Sequence, residues 1–112
     1  MCEEMLKFRN ILDEHNIEWE DLSDNSPLIL PYYKTTTNID RTEFVYKGHL
    51  ISVINDFGTY GGYDTFTMKN HGLLEMWIQD IMDNPIGYLT SSDCWEEIKK
   101  ILKKAESAYD RK

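Results

Sequence analysis

Several things are scarce in this chain. Two cysteines, Cys2 and Cys94, are too few for a disulfide framework and match no metal or redox spacing, which fits a reducing compartment. No stretch approaches the roughly 20 apolar residues of a membrane span. Met1-Cys2-Glu3-Glu4 lacks the basic-then-apolar layout of a signal peptide, so retention in the cytoplasm is expected. Cations are also few: 12 Lys and Arg stand against 20 Asp and Glu, a formal charge of −8. That deficit argues against nucleic-acid binding through the phosphate backbone, which needs clustered Lys and Arg to displace counterions. Three histidines, His15, His49 and His71, show no zinc-site spacing, and no Ser-His-Asp arrangement can be assembled. Neither an enzyme, a metal nor a cofactor is expected. At 112 residues the chain has room for one core, and 41% apolar residues suffice to fill it.

What charge there is lies unevenly. Residues 1–98 hold 18 acidic and 6 basic side chains, whereas residues 99–112 hold 2 and 6. The densest negative run is 13–24, with Asp13, Glu14, Glu18, Glu20, Asp21 and Asp24 and no Lys or Arg. It reads either as a solvated acidic edge or as a surface that imitates phosphates and occupies a basic groove, with Trp19 as its anchor.

Periodicity predicts a helix over 3–15, with Met5, Phe8 and Leu12 on one face widened by Leu6 and Ile11, stopped at Asn16. Alternation at Ile17-Glu18-Trp19-Glu20 predicts a short strand. Ser23 to Pro27 is turn chemistry, and Leu28-Ile29-Leu30 before Pro31 reads as an edge or irregular piece. Arg41 to Ile54 predicts a β-hairpin about Lys47-Gly48, with Tyr46 opposite His49, Phe44 opposite Ile51 and Val45 opposite Leu50. Both faces of that hairpin carry apolar groups, which predicts cover on each side, by helices on one and by another element or a second subunit on the other. Residues 55–64 read as an irregular loop. Leu73, Leu74, Trp77, Ile78 and Ile81 predict a helix ended by Asp83-Asn84-Pro85, on which His71 and Glu75 would stand one turn apart, and Ile86 to Leu89 a short strand. Thr90 and Asp93 form a variant capping box for a last helix buried along Cys94, Ile98, Ile101, Leu102, Ala105 and Tyr109. Its Lys99, Lys100, Lys103 and Lys104 suit the negative end of the helix dipole. The expected whole is a single α+β domain over 1–112: a small antiparallel sheet packed by N- and C-terminal helices.

Two constellations are candidates for binding. The first is the loop with Gly58, Tyr60, Gly61, Gly62 and Tyr63, whose amides could point at an anion and whose rings could stack, joined by Arg41, His49 and Lys69 as cations. It matches neither a dinucleotide fingerprint nor a P-loop, so a tight connection between hairpin and helix is the plainer explanation. Asp56-Phe57-Gly58 spells the kinase metal triplet without a kinase around it. Arg41 is more plainly read as a salt-bridge partner of one of the twenty carboxylates. The second constellation is Glu18, Trp19, Glu20, Asp21 and Asp24. Cys94, on an apolar stripe, reads as a packed thiol.

Phe8-Arg9-Asn10-Ile11-Leu12-Asp13, Ile17-Glu18-Trp19, Arg41-Thr42-Glu43-Phe44 and Ser52 to Gly62 together resemble a family of small proteins of phages and prophages in Gram-positive gut bacteria; Leu73-Leu74-Glu75 and Gly87-Tyr88-Leu89-Thr90 complete the likeness. The resemblance implies no activity and no catalytic residue. It implies a setting, the host bacterial cytoplasm, in which small acidic phage proteins often disarm host defences. Two functions follow: a sponge that sequesters a nucleotide-derived immune signal without chemistry, or an anti-CRISPR-like inhibitor whose acidic face blocks a basic groove of a host defence protein. Self-association is compatible with either.

Overall fold

Polar and apolar residues alternate through the middle of the chain, and the strands they form build one antiparallel sheet. The structure is a computed structural model that describes residues 1–24, 27–30, 33–36, 39–56, 59–64, 66–67 and 69–110. Helix α1 (Glu3–Glu14) is followed by β1 (Trp19–Asp21), β2 (Pro27–Leu30), β3 (Tyr33–Thr36), β4 (Asp40–Tyr46), β5 (His49–Asn55), β6 (Tyr63–Asp64), β7 (Lys69–Asn70), β8 (Leu74–Ile78), β9 (Ile86–Leu89) and α2 (Ser91–Asp110). The main sheet has the order β1-β4-β5-β8-β9, and every pairing in it is antiparallel. β2 with β3 and β6 with β7 form separate two-stranded ladders. The fold is α+β, as expected, with a helix from each end of the chain on the sheet.

The central hairpin has the expected register: Tyr46 faces His49, Val45 faces Leu50 and Phe44 faces Ile51. Lys47 and Gly48 turn it with φ of 52° and 81°, the double left-handed geometry that matches strand twist. Asn16 ends α1 at φ 56°, as its tolerance of that region predicts. The N–H of Asp93 reaches Thr90 Oγ1 at 3.2 Å, so the predicted cap opens α2. Leu28 to Leu30 is a strand, part of β2, whereas Asn25, Ser26 and Pro31 lie outside the described residues, as does the side chain of Tyr109.

Two stretches differ from their expectation. Within 55–64, read as an irregular loop, Asn55 closes β5 and Tyr63–Asp64 form β6, paired with β7. Residues 73–81 are not a helix; Leu74–Ile78 is a strand with Met76 opposite Val53 on β5 and Glu75 opposite Ile54. Leu74, Met76 and Ile78 are fully buried and alternate with Glu75 and Trp77, a period of two. A short apolar run satisfies both helical and strand spacing, and here the open edge of β5 decides. The pairing of His71 with Glu75 on a helical turn disappears with that helix.

Strand alternation separates two faces. On the inner one, Phe44, Ile51, Val53, Leu74, Met76 and Ile78 meet Met5, Phe8 and Leu12 of α1 and Cys94, Trp95, Ile98 and Leu102 of α2. The Phe8 and Phe44 rings lie 5.7 Å apart, and Glu4 joins the helices by accepting the Ser91 N–H at 2.8 Å. On the outer face Arg41, Glu43, Val45, Leu50, Ser52, Ile54, Glu75 and Trp77 face away from both helices. The second cover predicted for the hairpin is not supplied by either helix, and Val45 stays 61% exposed. Because Phe8 is fully buried at the centre of the core, Phe8→Ala is expected to lower unfolding free energy by about 3–5 kcal/mol, measured by urea denaturation.

Candidate functional site

The glycine and tyrosine loop is held by its own backbone. Thr59 and Tyr63 N–H groups donate to Asp56 O, the Gly62 N–H donates to Thr59 O at 3.0 Å, and the Tyr60 N–H reaches Glu75 Oε2 at 2.6 Å. Gly61 O accepts the Leu73 N–H. A Cβ on Gly62 would come within 2.1 Å of Asp56 O, so this glycine serves close packing of the loop on itself. The amides of Tyr60, Gly62 and Tyr63 are therefore engaged inside the chain. Gly58 and Phe57 lie outside the described residues.

Arg41 and His49, expected near this loop, are divided by the sheet. Arg41 stands opposite Ile54 on the outer face, whereas His49 lies five residues away along β5 with the inner-facing set, about 16 Å at strand rise. Arg41 bonds the carboxylate of Glu43, the salt-bridge explanation. His49 Nδ1 sits 2.8 Å from the Asp80 carboxylate, and that hydrogen bond holds Asp80 below the usual carboxylate range. Lys69, exposed, pairs in register with Asp64 on the small β6–β7 ladder, and Tyr63 pairs with Asn70. The structure thus keeps Tyr60, Gly61, Gly62, Tyr63 and Lys69 in one region, with Arg41 two strands away on the outer face in the row of Ile54 and Glu75, and leaves His49 on the other face.

The acidic window divides differently. Trp19 pairs with Phe44 and Asp21 with Thr42, so both side chains turn toward the helix side. The Trp19 indole donates to Asp13 Oδ1 at 2.8 Å and lies under the Arg9 guanidinium, 4.6 Å from it. Asp24 is exposed, and its backbone bridges Ile39. Glu20 pairs with Glu43 and shares the outer face; Glu18, two residues before it, is exposed like Glu20, and among the described residues neither has an ion pair. Glu18, Glu20 and Glu43 rim a groove of about 530 Å³ whose walls include Trp19, Phe44, Val45 and Leu50. A second concavity of about 200 Å³, lined by Arg41, Glu43, Leu50, Ser52, Trp77 and Gln79, shares Glu43 and Leu50 with it. Together they make a strip across the outer face: acidic at β1, apolar at Val45, Leu50 and Trp77, with the Arg41–Glu43 ion pair between. Carboxylates at one end and exposed apolar groups at its centre suit the capture of an amphipathic, positively charged chain segment.

Among the described residues no three His, Cys, Asp or Glu side chains converge as a metal site. Burial pushes the Cys94 thiol far above its ordinary range, which denies it nucleophilic character and fits the packed thiol predicted for it. No helix among the described residues is long and apolar enough to cross a membrane.

The residue that positions this strip is one that pattern reading passed over. Arg9, on α1, is 7% exposed. Its Nε donates to Thr42 Oγ1 at 2.7 Å, and Nη2 reaches Asp21 Oδ1 at 2.9 Å, Ser23 Oγ at 3.2 Å and Arg41 O at 3.2 Å. The signal was available: Arg9 stands next to Phe8 and four residues after Met5, on the buried stripe. A buried cation on such a stripe needs a carboxylate.

No protein-family model, curated protein or solved structure matches the chain.

The Asp21 carboxyl is held down to about 2 by the Ser23 hydroxyl and N–H, and then by Arg9. A folded-state value below the unfolded one means that Asp21 contributes stability fully above the ordinary carboxylate range and loses it as pH falls from about 4 to about 2. Asp21→Asn is therefore expected to flatten the acid limb of the stability curve in that interval, measured by urea midpoints from pH 2 to pH 6. An unchanged limb contradicts this assignment.

Proposed function

We propose that this protein is a non-catalytic binder that captures a basic segment of a protein partner on the outer face of its sheet. One observation carries the reading. The sheet has both helices on one face and, on the other, a continuous strip that joins Glu18 and Glu20, which have no ion pair among the described residues, to exposed Val45, Leu50 and Trp77. A small domain that buries its core on one side of a sheet ordinarily makes the other side polar throughout. Here Val45, Leu50 and Trp77 remain exposed in the middle, Arg41 on this face is paired with Glu43, and the cations of the last helix lie on the far side. Aromatic and aliphatic groups inside a charged rim are the usual composition of a protein-binding patch.

The reading agrees with the setting implied by the phage-family resemblance: the occupant is a basic host defence protein, whose groove for nucleic acid carries the complementary charge. Sequestration of a nucleotide signal draws less support, because Arg41 and His49 stand on opposite faces and three loop amides are engaged. Surface carboxylates of this kind contribute up to about 1 kcal/mol each, so two of them account for up to about a thirtyfold change in affinity.

The test uses a seven-residue peptide alternating Arg and Gly, titrated calorimetrically at two salt concentrations. Glu18→Lys with Glu20→Lys is expected to weaken binding about tenfold and to flatten its salt dependence. Glu96→Lys with Glu106→Lys, an equal change of charge on the exposed side of α2, is expected to have a much smaller effect. Equal losses from the two pairs would mean that net charge alone binds the peptide and that the strip is not its site.

A further inference from the structure

Beyond the acidic rim, the far end of the same face carries an aromatic cluster that the groove does not use. Tyr60 and Tyr88 are 57% and 58% exposed, with ring centroids 6.4 Å apart at an interplanar angle of 34°. Exposed tyrosines are common, but these are fixed from below. The Tyr60 N–H is bonded to Glu75 Oε2, on the outer face of β8, and its carbonyl accepts the Tyr88 N–H at 3.0 Å. Gly87 lets them approach, since a Cβ there would lie 2.0 Å from Tyr60 Cβ. Tyr88 itself has φ 57°, a left-handed backbone in which a bulky side chain is strained and Gly or Asn would be relaxed. Strain at an outward-pointing ring gives nothing to the core. It presents two rings on a base held by hydrogen bonds, an arrangement that lowers the ordering cost of a contact.

The chemistry around the rings selects the ligand. Asp64 lies 3.5 Å from His71, whose ring is 6.0 Å from that of Tyr88, and has Lys69 as its cross-strand partner; Glu75, beneath Tyr60, has no ion pair among the described residues and is the carboxylate left to the rings. Aromatic faces are negative, and adjoining carboxylates add to that potential, so a cation is favoured over an anion. A planar, weakly hydrated guanidinium stacks on such rings better than a compact ammonium. We infer that Tyr60 and Tyr88 form a clamp for an arginine of the basic segment. The inference rests on the binding reading above and deepens it: acidic rim and tyrosines are three to four strands apart, about 14–19 Å, a span of some five extended residues.

The experiment compares the Arg-Gly peptide with its Lys-Gly counterpart at one ionic strength, by calorimetry and by the NMR shifts of the two tyrosine rings. The Arg peptide is expected to bind about fivefold more tightly and to move both ring signals. Tyr60→Ser with Tyr88→Asn, the second change relaxing the backbone, should bring the two peptides to parity, whereas Tyr88→Phe should keep the preference. Glu18→Lys with Glu20→Lys should weaken both peptides equally and leave their ratio intact. Equal binding of the two peptides to the unaltered protein, or a preference that survives loss of the tyrosines, overturns the clamp and leaves the acidic groove standing. Failure of both peptides to bind overturns the groove reading and the clamp with it. Ring shifts caused by AMP and not by the Arg peptide also overturn the clamp, in favour of nucleobase stacking.

Discussion

Arg9 is the constraint on which the placement of everything at the sheet edge depends. A guanidinium this deep in the protein is tolerated only where its donors are satisfied, and here four groups from the β1 end and β4 satisfy them. The ring of Trp19 covers one face of the ion. Removing any one partner leaves the charge in place with fewer acceptors, so the residues around it stand or fall together. The geometric result is that β1 is locked against β4 with Asp21 turned inward. By strand alternation Glu20 must then turn outward. A cation in the core thereby fixes the direction of the anions on the surface.

Much of this was legible in the sequence and some was not. The register of the β4–β5 hairpin followed from Lys47-Gly48, because a two-residue turn leaves one way to align Tyr46 with His49. The two helices followed from apolar spacing and from local stops and caps at Asn16 and Thr90. Residues 73–81 failed because Leu74, Met76 and Ile78 alternate over only five residues, while Leu73, Trp77 and Ile81 supply a competing helical stripe; a neighbouring strand resolves the tie, and no local pattern contains that neighbour. The acidic window was visible as a run, but a run has no faces. Only pairing with β4 shows that Glu18 and Glu20 separate from Asp21. Tyr88 was the hardest: nothing in Gly87-Tyr88-Leu89 announces a left-handed backbone at the tyrosine and not at the glycine before it.

The loop illustrates how composition misleads about chemistry. Three glycines and two tyrosines within seven residues suggest a cradle for an anion. In the folded chain the amides of Tyr60, Gly62 and Tyr63 are engaged, and Gly62 and Gly87 act as clearances for backbone and side-chain atoms that cross close by. Among its described residues, the loop exposes the ring face of Tyr60. Its electrostatic character is thus opposite to the one its glycines suggest, and it agrees with the negative rim at β1.

β1 has a further consequence through its length. It is an outer strand of the main sheet, and an outer strand with free N–H and C=O groups is a template for pairing with another chain. This one spans only three residues and is acidic at Glu20 and Asp21, with Glu18 just before it. Two such edges brought together antiparallel would set carboxylate against carboxylate, a pairing that like charges oppose. The acids that rim the groove therefore also oppose extension of the sheet by a second copy at its β1 edge.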